Sequence, residues 1–324
     1  MLSFTYKTKH FLFQTAKLLW VIVCFNFLYE KITESKAFVG FDLQSFFYQR
    51  DFPFGLLLLI ALFSAANWGI EFIKWKDIIT TVTTISYKKA SSQSLIAFAL
   101  GTFTPNKIGE YGIRPMFFTK TLRKKVALLT GIHHFTQLLV TVLFGSIGFL
   151  ILLARFPQLQ QYTFAIIAIL FLPAFIFIFC YTGEKKSWFS IPYFTRTLEF
   201  LAYVKKKAHF KSFVFSMLRY LIFSHQFIFL LAVFGSPLTY IDTFTAITVI
   251  YLLSTLLPAI SFFDIVVKGS AAVFVFAFFG IEERIIIQVI AVMWTFNYLI
   301  PMLAGSILIL QTKYANLSGV WKVS

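Results

Sequence analysis

Six apolar runs, at about 11–29, 53–73, 126–153, 162–181, 212–234 and 285–311, constrain this chain more than any other feature in it. Each approaches the roughly 20 residues that a helix needs to cross about 30 Å of hydrocarbon. No water reaches that region, so a crossing segment must satisfy its own backbone, and a helix does so. The composition agrees: 13% of the residues are charged and 59% hydrophobic, whereas a soluble domain carries roughly 25% charged residues. The expected fold class is an all-α integral membrane protein, a polytopic helical bundle forming one domain over 1–324. The N-terminus is basic and then apolar, with no small-x-small cleavage site, and reads as an uncleaved first helix.

The net charge of +16 brings nucleic acid to mind. No basic tail or soluble domain is present to hold one, so the cations are assigned to cytoplasmic loops facing anionic lipid headgroups. Cys24 and Cys180 both fall inside apolar runs and read as packing residues, and two cysteines are too few for a disulfide framework.

Two further apolar stretches, about 92–118 and 244–280, are broken near their middles by polar, Pro- or Gly-bearing sequence. As ordinary spans they would bring the count to eight. From a cytoplasmic N-terminus (Lys7, Lys9, Lys17), eight spans place two basic segments outside. One carries Lys107, Arg114, Lys120, Arg123, Lys124 and Lys125 against Glu110. The other, 182–211, carries seven cations against Glu184 and Glu199. If 92–118 instead dips in and returns, both segments lie inside, as the positive-inside rule asks. The net acidic segments 30–51 and 264–284 then lie outside, and both termini are cytoplasmic. The expected architecture is therefore six full spans plus two re-entrant hairpins, with localisation to a bacterial inner membrane. Units of about 53–153 and 212–311 would form an inverted repeat, a recurrent plan among transporters.

The two breaks share a pattern. "FTPNKIGEYGIR" and "LLPAISFFDIVVKG" each hold a proline (Pro105, Pro258), an acid (Glu110, Asp264) and a cation four residues after the acid (Arg114, Lys268). The acids and cations share an offset of 154 residues, which also carries His134 onto Gln288 and Thr141 onto Thr295. In the span after the first hairpin, Thr130, His134, Gln137, Thr141, Gly145 and Gly148 form one helical face. Gln288, Ala291, Thr295, Tyr298 and Gly305 are its counterpart. The glycines are assigned to helix packing. For His134, Gln137 and Gln288, packing and site-lining both remain open. Arg219, deep in its span with Gln226 on the same face, either snorkels to the cytoplasmic side or pairs with Glu110 or a lipid phosphate. Glu71, after Asn67 on one face, is placed at the membrane interface, and His133, His10 and His209 receive no role.

The pattern Thr104-Pro105-x-x-Ile108-Gly109-Glu110-x-Gly112-x-Arg114 resembles the signature of the lysylphosphatidylglycerol synthase/flippase transmembrane family, and the order of hydrophobic segments fits from about 10 to 312. The second motif departs from that family, with Phe262, Phe263, Asp264 and Lys268-Gly269 where glycines and an Arg-Glu pair are usual. The resemblance implies a stand-alone member without the aminoacyl-transferase domain, and a role in moving lipid between leaflets. No Walker loop, H-E-x-x-H or G-x-S-x-G occurs, so no enzyme, metal or cofactor is expected. The headgroup or relay candidates are Pro105, Gly109, Glu110, Gly112, Arg114, His134, Gln137, Arg219, Asp264, Lys268 and Gln288. Gly109 and Gly112 would admit a headgroup close to the backbone. The alternative is an accessory or scaffold subunit of a lipid- or glycan-modifying enzyme. Expected partners are membrane lipids, with a homo-oligomer or such an enzyme as further candidates.

Overall fold

The computed structural model describes residues 54–104, 107–163, 204–256 and 264–311. Among them every regular element is helical: α1 (Phe54–Ile79), α2 (Tyr87–Gly101), α3 (Gly109–Met116), α4 (Lys120–Arg155), α5 (Lys206–Val233), α6 (Tyr240–Leu256), α7 (Asp264–Ala277), α8 (Glu283–Trp294) and α9 (Ile300–Gln311). A single π-helical turn, Thr295–Leu299, joins α8 to α9. Four stretches are long and apolar enough to cross a membrane: α1, α4, α5 and the continuous Glu283–Gln311. They coincide with four of the six expected spans. The other two, 11–29 and 162–181, lie outside the described residues.

The first interrupted stretch forms two helices separated by a break, neither long enough to span a bilayer alone, and in the second α6 and α7 flank residues that lie outside the described ones. At 1.5 Å per residue, the 15 residues of α2 reach about 22 Å and the 8 of α3 about 12 Å. The first pair doubles back. Ala90 near its start and Phe118 just past its end share one apolar cluster with Ile78 and Ile79 of α1, Val126 of α4 and Val204. The second pair enters and leaves at the opposite end of α4. There Arg155 is paired with Asp242 at the start of α6, and the Phe156 ring lies 5.7 Å from Phe278 and 5.3 Å from Phe279, just past α7.

The first break is held by one side chain. Thr104 Oγ1 donates to the Gly101 carbonyl at 2.6 Å and accepts from the Gly109 N–H at 2.8 Å, so it joins the end of α2 to the start of α3. Between them Lys107 takes a left-handed φ of 59°. The glycines let the arms touch. A Cβ on Gly109 would come within 3.1 Å of Gly101 Cα, and one on Gly101 within 2.9 Å of Glu110 Cγ.

Packing crosses between the two halves. α1 lies beside α5, α4 packs along α6, and α9 packs along α2. Gly145 and Gly148 face Leu252 and Thr248 of α6, and Gly305 faces Leu95 and Ala99 of α2. At all three glycines a methyl group would collide, so the expected packing role holds. The outer surface is apolar: Phe135, Leu139, Leu143, Ile147 and Leu150 are exposed along α4, and Leu58 and Leu62 along α1.

Candidate functional site

Glu71 stands at the centre of the only dense buried ion network among the described residues. It is 5% exposed, which corrects the expectation of an interfacial position. Ser64, Asn67, Glu71 and Lys74 recur at three- and four-residue steps on one face of α1, and all four are buried. Hydropathy ends the span at these charges. The helix continues because each of them turns inward to a partner.

Three elements converge on this carboxylate. Arg114 of α3 donates from Nη2 to Oε1 at 2.9 Å. His133 Nε2 of α4 lies 2.7 Å from the same oxygen, and because an ionised carboxylate only accepts, that nitrogen carries the proton. Arg219 of α5 is paired with Oε2 through Nη1 and donates from Nε to Asn67 Oδ1 at 3.1 Å. Arg219 therefore neither snorkels nor meets Glu110. Both it and His133, which had been given no role, belong to the Glu71 network.

Arg114 also grips its own helix. Nε and Nη2 donate to Glu110 Oε2 at 3.1 and 2.9 Å, four residues back. Its guanidinium lies 4.4 Å from the centre of the Trp75 ring, a stacking that suits a planar cation. The residue is 1% exposed, and its Nη1 is buried with no protein partner. His134 Nε2 lies 3.4 Å from Glu110 Oε2. Lys74 Nζ donates to the His133 carbonyl at 2.6 Å.

A polar chain continues into the second half. Asn297 in the π turn donates to Gln226 Oε1 at 2.9 Å, and Gln226 donates to Ser64 Oγ and to the Ile60 carbonyl. Trp68 Nε1 donates to the Asn297 carbonyl at 3.2 Å. The wide turn supplies that carbonyl, since a π-helical register leaves regular i, i+4 pairing locally unmade.

These groups wall a cavity of about 600 Å³. Its lining includes the cations Lys74, Lys107, Arg114, Arg219 and Lys268 and, among the described residues, the carboxylates Glu71 and Glu110. Of the expected site residues, Glu110, Arg114, His134, Gln137, Arg219 and Lys268 line it. Gln137 Nε2 approaches the Ser216 carbonyl at 3.5 Å, and Lys268 Nζ sits 5.7 Å from the Phe223 ring centre. Gly109 makes its close approach to Gly101 within the hairpin, while Gly112 faces open space. Pro105, Pro258 and the Asp264 side chain lie outside the described residues.

Gln288 is a correction: it does not line the cavity, and neither does Thr295. The last span presents Ile290, Met293, Trp294, Asn297 and Tyr298 instead. The lining positions Ile290, Met293 and Asn297 lie two residues beyond those that the 154-residue register set at the two acids assigns to His134, Gln137 and Thr141. Asn297 was missed for that reason. Glu71 was read only with Asn67, His133 was given no role and Lys74 was not considered, because the face Ser64, Asn67, Glu71 and Lys74 was not followed as one buried stripe.

Among the described residues, no group of three His, Cys, Asp or Glu side chains is arranged to hold a metal ion. The fold and cavity define an all-helical membrane protein with a charged interior. No family model, curated protein or solved structure matches the chain.

Proposed function

We propose that this protein is a lipid carrier that moves an anionic or zwitterionic phospholipid or glycophospholipid between leaflets, without covalent chemistry. The charged wall of the cavity carries the reading. Among the described residues, Lys74, Arg114, Arg219, Glu71 and Glu110 line it, inside a bundle whose exterior is apolar. Ions at membrane depth are costly and mark substrate pathways. Arg114 Nη1 is buried in this wall with no protein partner, a donor left for an oxyanion to satisfy. The rim favours a lipid over a soluble solute: Tyr111, Phe135 and Leu138 belong to the cavity wall and are also exposed on the outer surface. A headgroup would lie inside while its acyl chains stay among the apolar side chains outside.

In this reading, α2–α3 re-enters an inner membrane from the cytoplasmic side and α6–α7 from the other. Units 53–153 and 212–311 are inverted repeats. Reciprocal packing supports this, with α4 on α6 answered by α9 on α2. So does one spacing of 156 residues that takes His134, Gln137 and Thr141 onto Ile290, Met293 and Asn297, all cavity-lining. The resemblance of Thr104–Arg114 to the lysylphosphatidylglycerol flippase signature supports it from the sequence.

The test is leaflet exchange of fluorescent phosphatidylglycerol, phosphatidylserine and phosphatidylcholine in proteoliposomes, read by quenching of the outer leaflet. Exchange above empty vesicles, fastest for the anionic headgroups and slowed by Glu110→Gln, is expected. No exchange of any of the three, with Glu110→Gln indistinguishable from wild type, rejects the carrier. A stoichiometric glycosyl- or acyltransferase recovered in mild detergent would then establish the accessory subunit in its place.

A further inference from the structure

We propose, building on the carrier reading, that Glu71 is the resident anion of the site. The phosphate oxyanion of the ligand displaces its carboxylate from Arg114 and Arg219, and Glu71 takes up one proton as it is displaced.

The geometry begins with two guanidinium groups meeting on one carboxylate, Arg114 Nη2 on Oε1 at 2.9 Å and Arg219 Nη1 on Oε2. Arg114 comes from the hairpin of the first half and Arg219 from the first span of the second, so only the tertiary fold brings them together. Guanidinium forks bind carboxylate and phosphate alike. A pair already converged on one oxyanion is placed to converge on another. The buried, partnerless Nη1 of Arg114 is a donor that Glu71 leaves unused and that a phosphate, with more oxygens, would satisfy.

The titratable and charged groups around Glu71 are Lys74 on its own helix, Glu110 and Arg114 on α3, His133 and His134 on α4, and Arg219 on α5. Asn297 faces it as a neutral group from the π turn. Once both guanidiniums turn to the ligand, His133 at 2.7 Å is the remaining bonded partner of Glu71. An ionised carboxylate buried to that degree without its cations is the costly state. A proton from solvent on Glu71 Oε2, the oxygen Arg219 vacates, removes that cost while Oε1 goes on accepting from His133 Nε2. Each anion thus enters with one proton and leaves with it, and the charge of the site is unchanged. Were Lys74 to leave the His133 carbonyl and take over the carboxylate, no proton would be needed, so the proton count decides.

Calorimetric titration of the full-length protein in nanodiscs, with dihexanoyl phosphatidate and separately with inorganic phosphate, below the second ionisation of both probes so that each enters as a monoanion, gives that count when repeated in buffers of different ionisation enthalpy. The expected result is uptake approaching one proton per phosphate group, with affinity falling up to about tenfold per unit of rising pH. Glu71→Gln should abolish uptake and slope while binding at least as tightly as wild type. Glu71→Asp should keep both. Binding without proton uptake overturns the proposal, as does a slope that persists in Glu71→Gln, or failure of wild type to bind either probe. The count is read on wild type, so it stands even where Glu71→Gln does not fold. Binding of phosphatidate but not of inorganic phosphate identifies a lipid headgroup as the ligand. Binding of inorganic phosphate alone identifies a free anion and removes the lipid reading while keeping the exchange at Glu71. Leaflet exchange that is insensitive to pH and to Glu71→Gln does the reverse.

Discussion

At the scale of single residues, Arg114 has the most to lose. It holds two buried carboxylates, Glu71 and Glu110, and its own face lies on Trp75. Removing one partner from a buried ion cluster leaves uncompensated charge, at a cost of about 3–5 kcal/mol. Arg114→Met should therefore cost that much stability, read as a lower thermal unfolding midpoint in detergent. Arg114→Lys should restore little, because a single ammonium cannot present parallel donors to both acids. Adding Glu71→Leu and Glu110→Leu to Arg114→Met should not recover the loss, because Arg219 then loses its own carboxylate. Half of this cluster was legible in the sequence. The four-residue step from Glu110 to Arg114 is an i, i+4 pair on any helix, and the structure makes that pair. The partner on α1 was hidden, since an acid eight residues before a helix end looks like an interfacial one until Ser64, Asn67 and Lys74 are seen on its face.

At the scale of elements, the glycines separate into those that touch and those that do not. Gly148 sits against Thr248, and a larger side chain there must push α4 from α6. Overpacking of this kind costs about 1–3 kcal/mol, so Gly148→Leu should destabilise by that amount. Gly112 meets nothing within 4 Å in the middle of α3, and Gly112→Ala should raise the unfolding midpoint, by about 0.5–1 kcal/mol of backbone freedom. Thermal denaturation of the two variants side by side checks both signs. The hairpins were legible because a proline and glycines inside an apolar run leave no unbroken helix of spanning length. The face of the last span was not. Its inward positions follow from a two-residue shift of register and from a π turn that no residue pattern announces, so Gln288 and Thr295 were chosen where Ile290 and Asn297 face the cavity.

At the scale of the molecule, the two hairpins open toward opposite ends of α4, whose 36 residues extend about 54 Å at 1.5 Å each. Lys120 and Glu282, both exposed, mark those ends. Introduced as Lys120→Cys and Glu282→Cys, they should react with a membrane-impermeant thiol reagent from opposite sides of intact and inverted vesicles. Labelling of both from one side would remove the opposed entry of the hairpins. Among the described residues, four of the expected spans and the break after Phe103 were visible in hydropathy and charge. How the halves join was not, because that depends on contacts between α2 and α9 and between α4 and α6, which are far apart in the chain. Each half lends its long hairpin arm to the final span of the other, as two hands clasp by exchanging fingers. Neither hand can close by itself, so the pair should melt as one cooperative body, and damage to either grip will be felt equally in both.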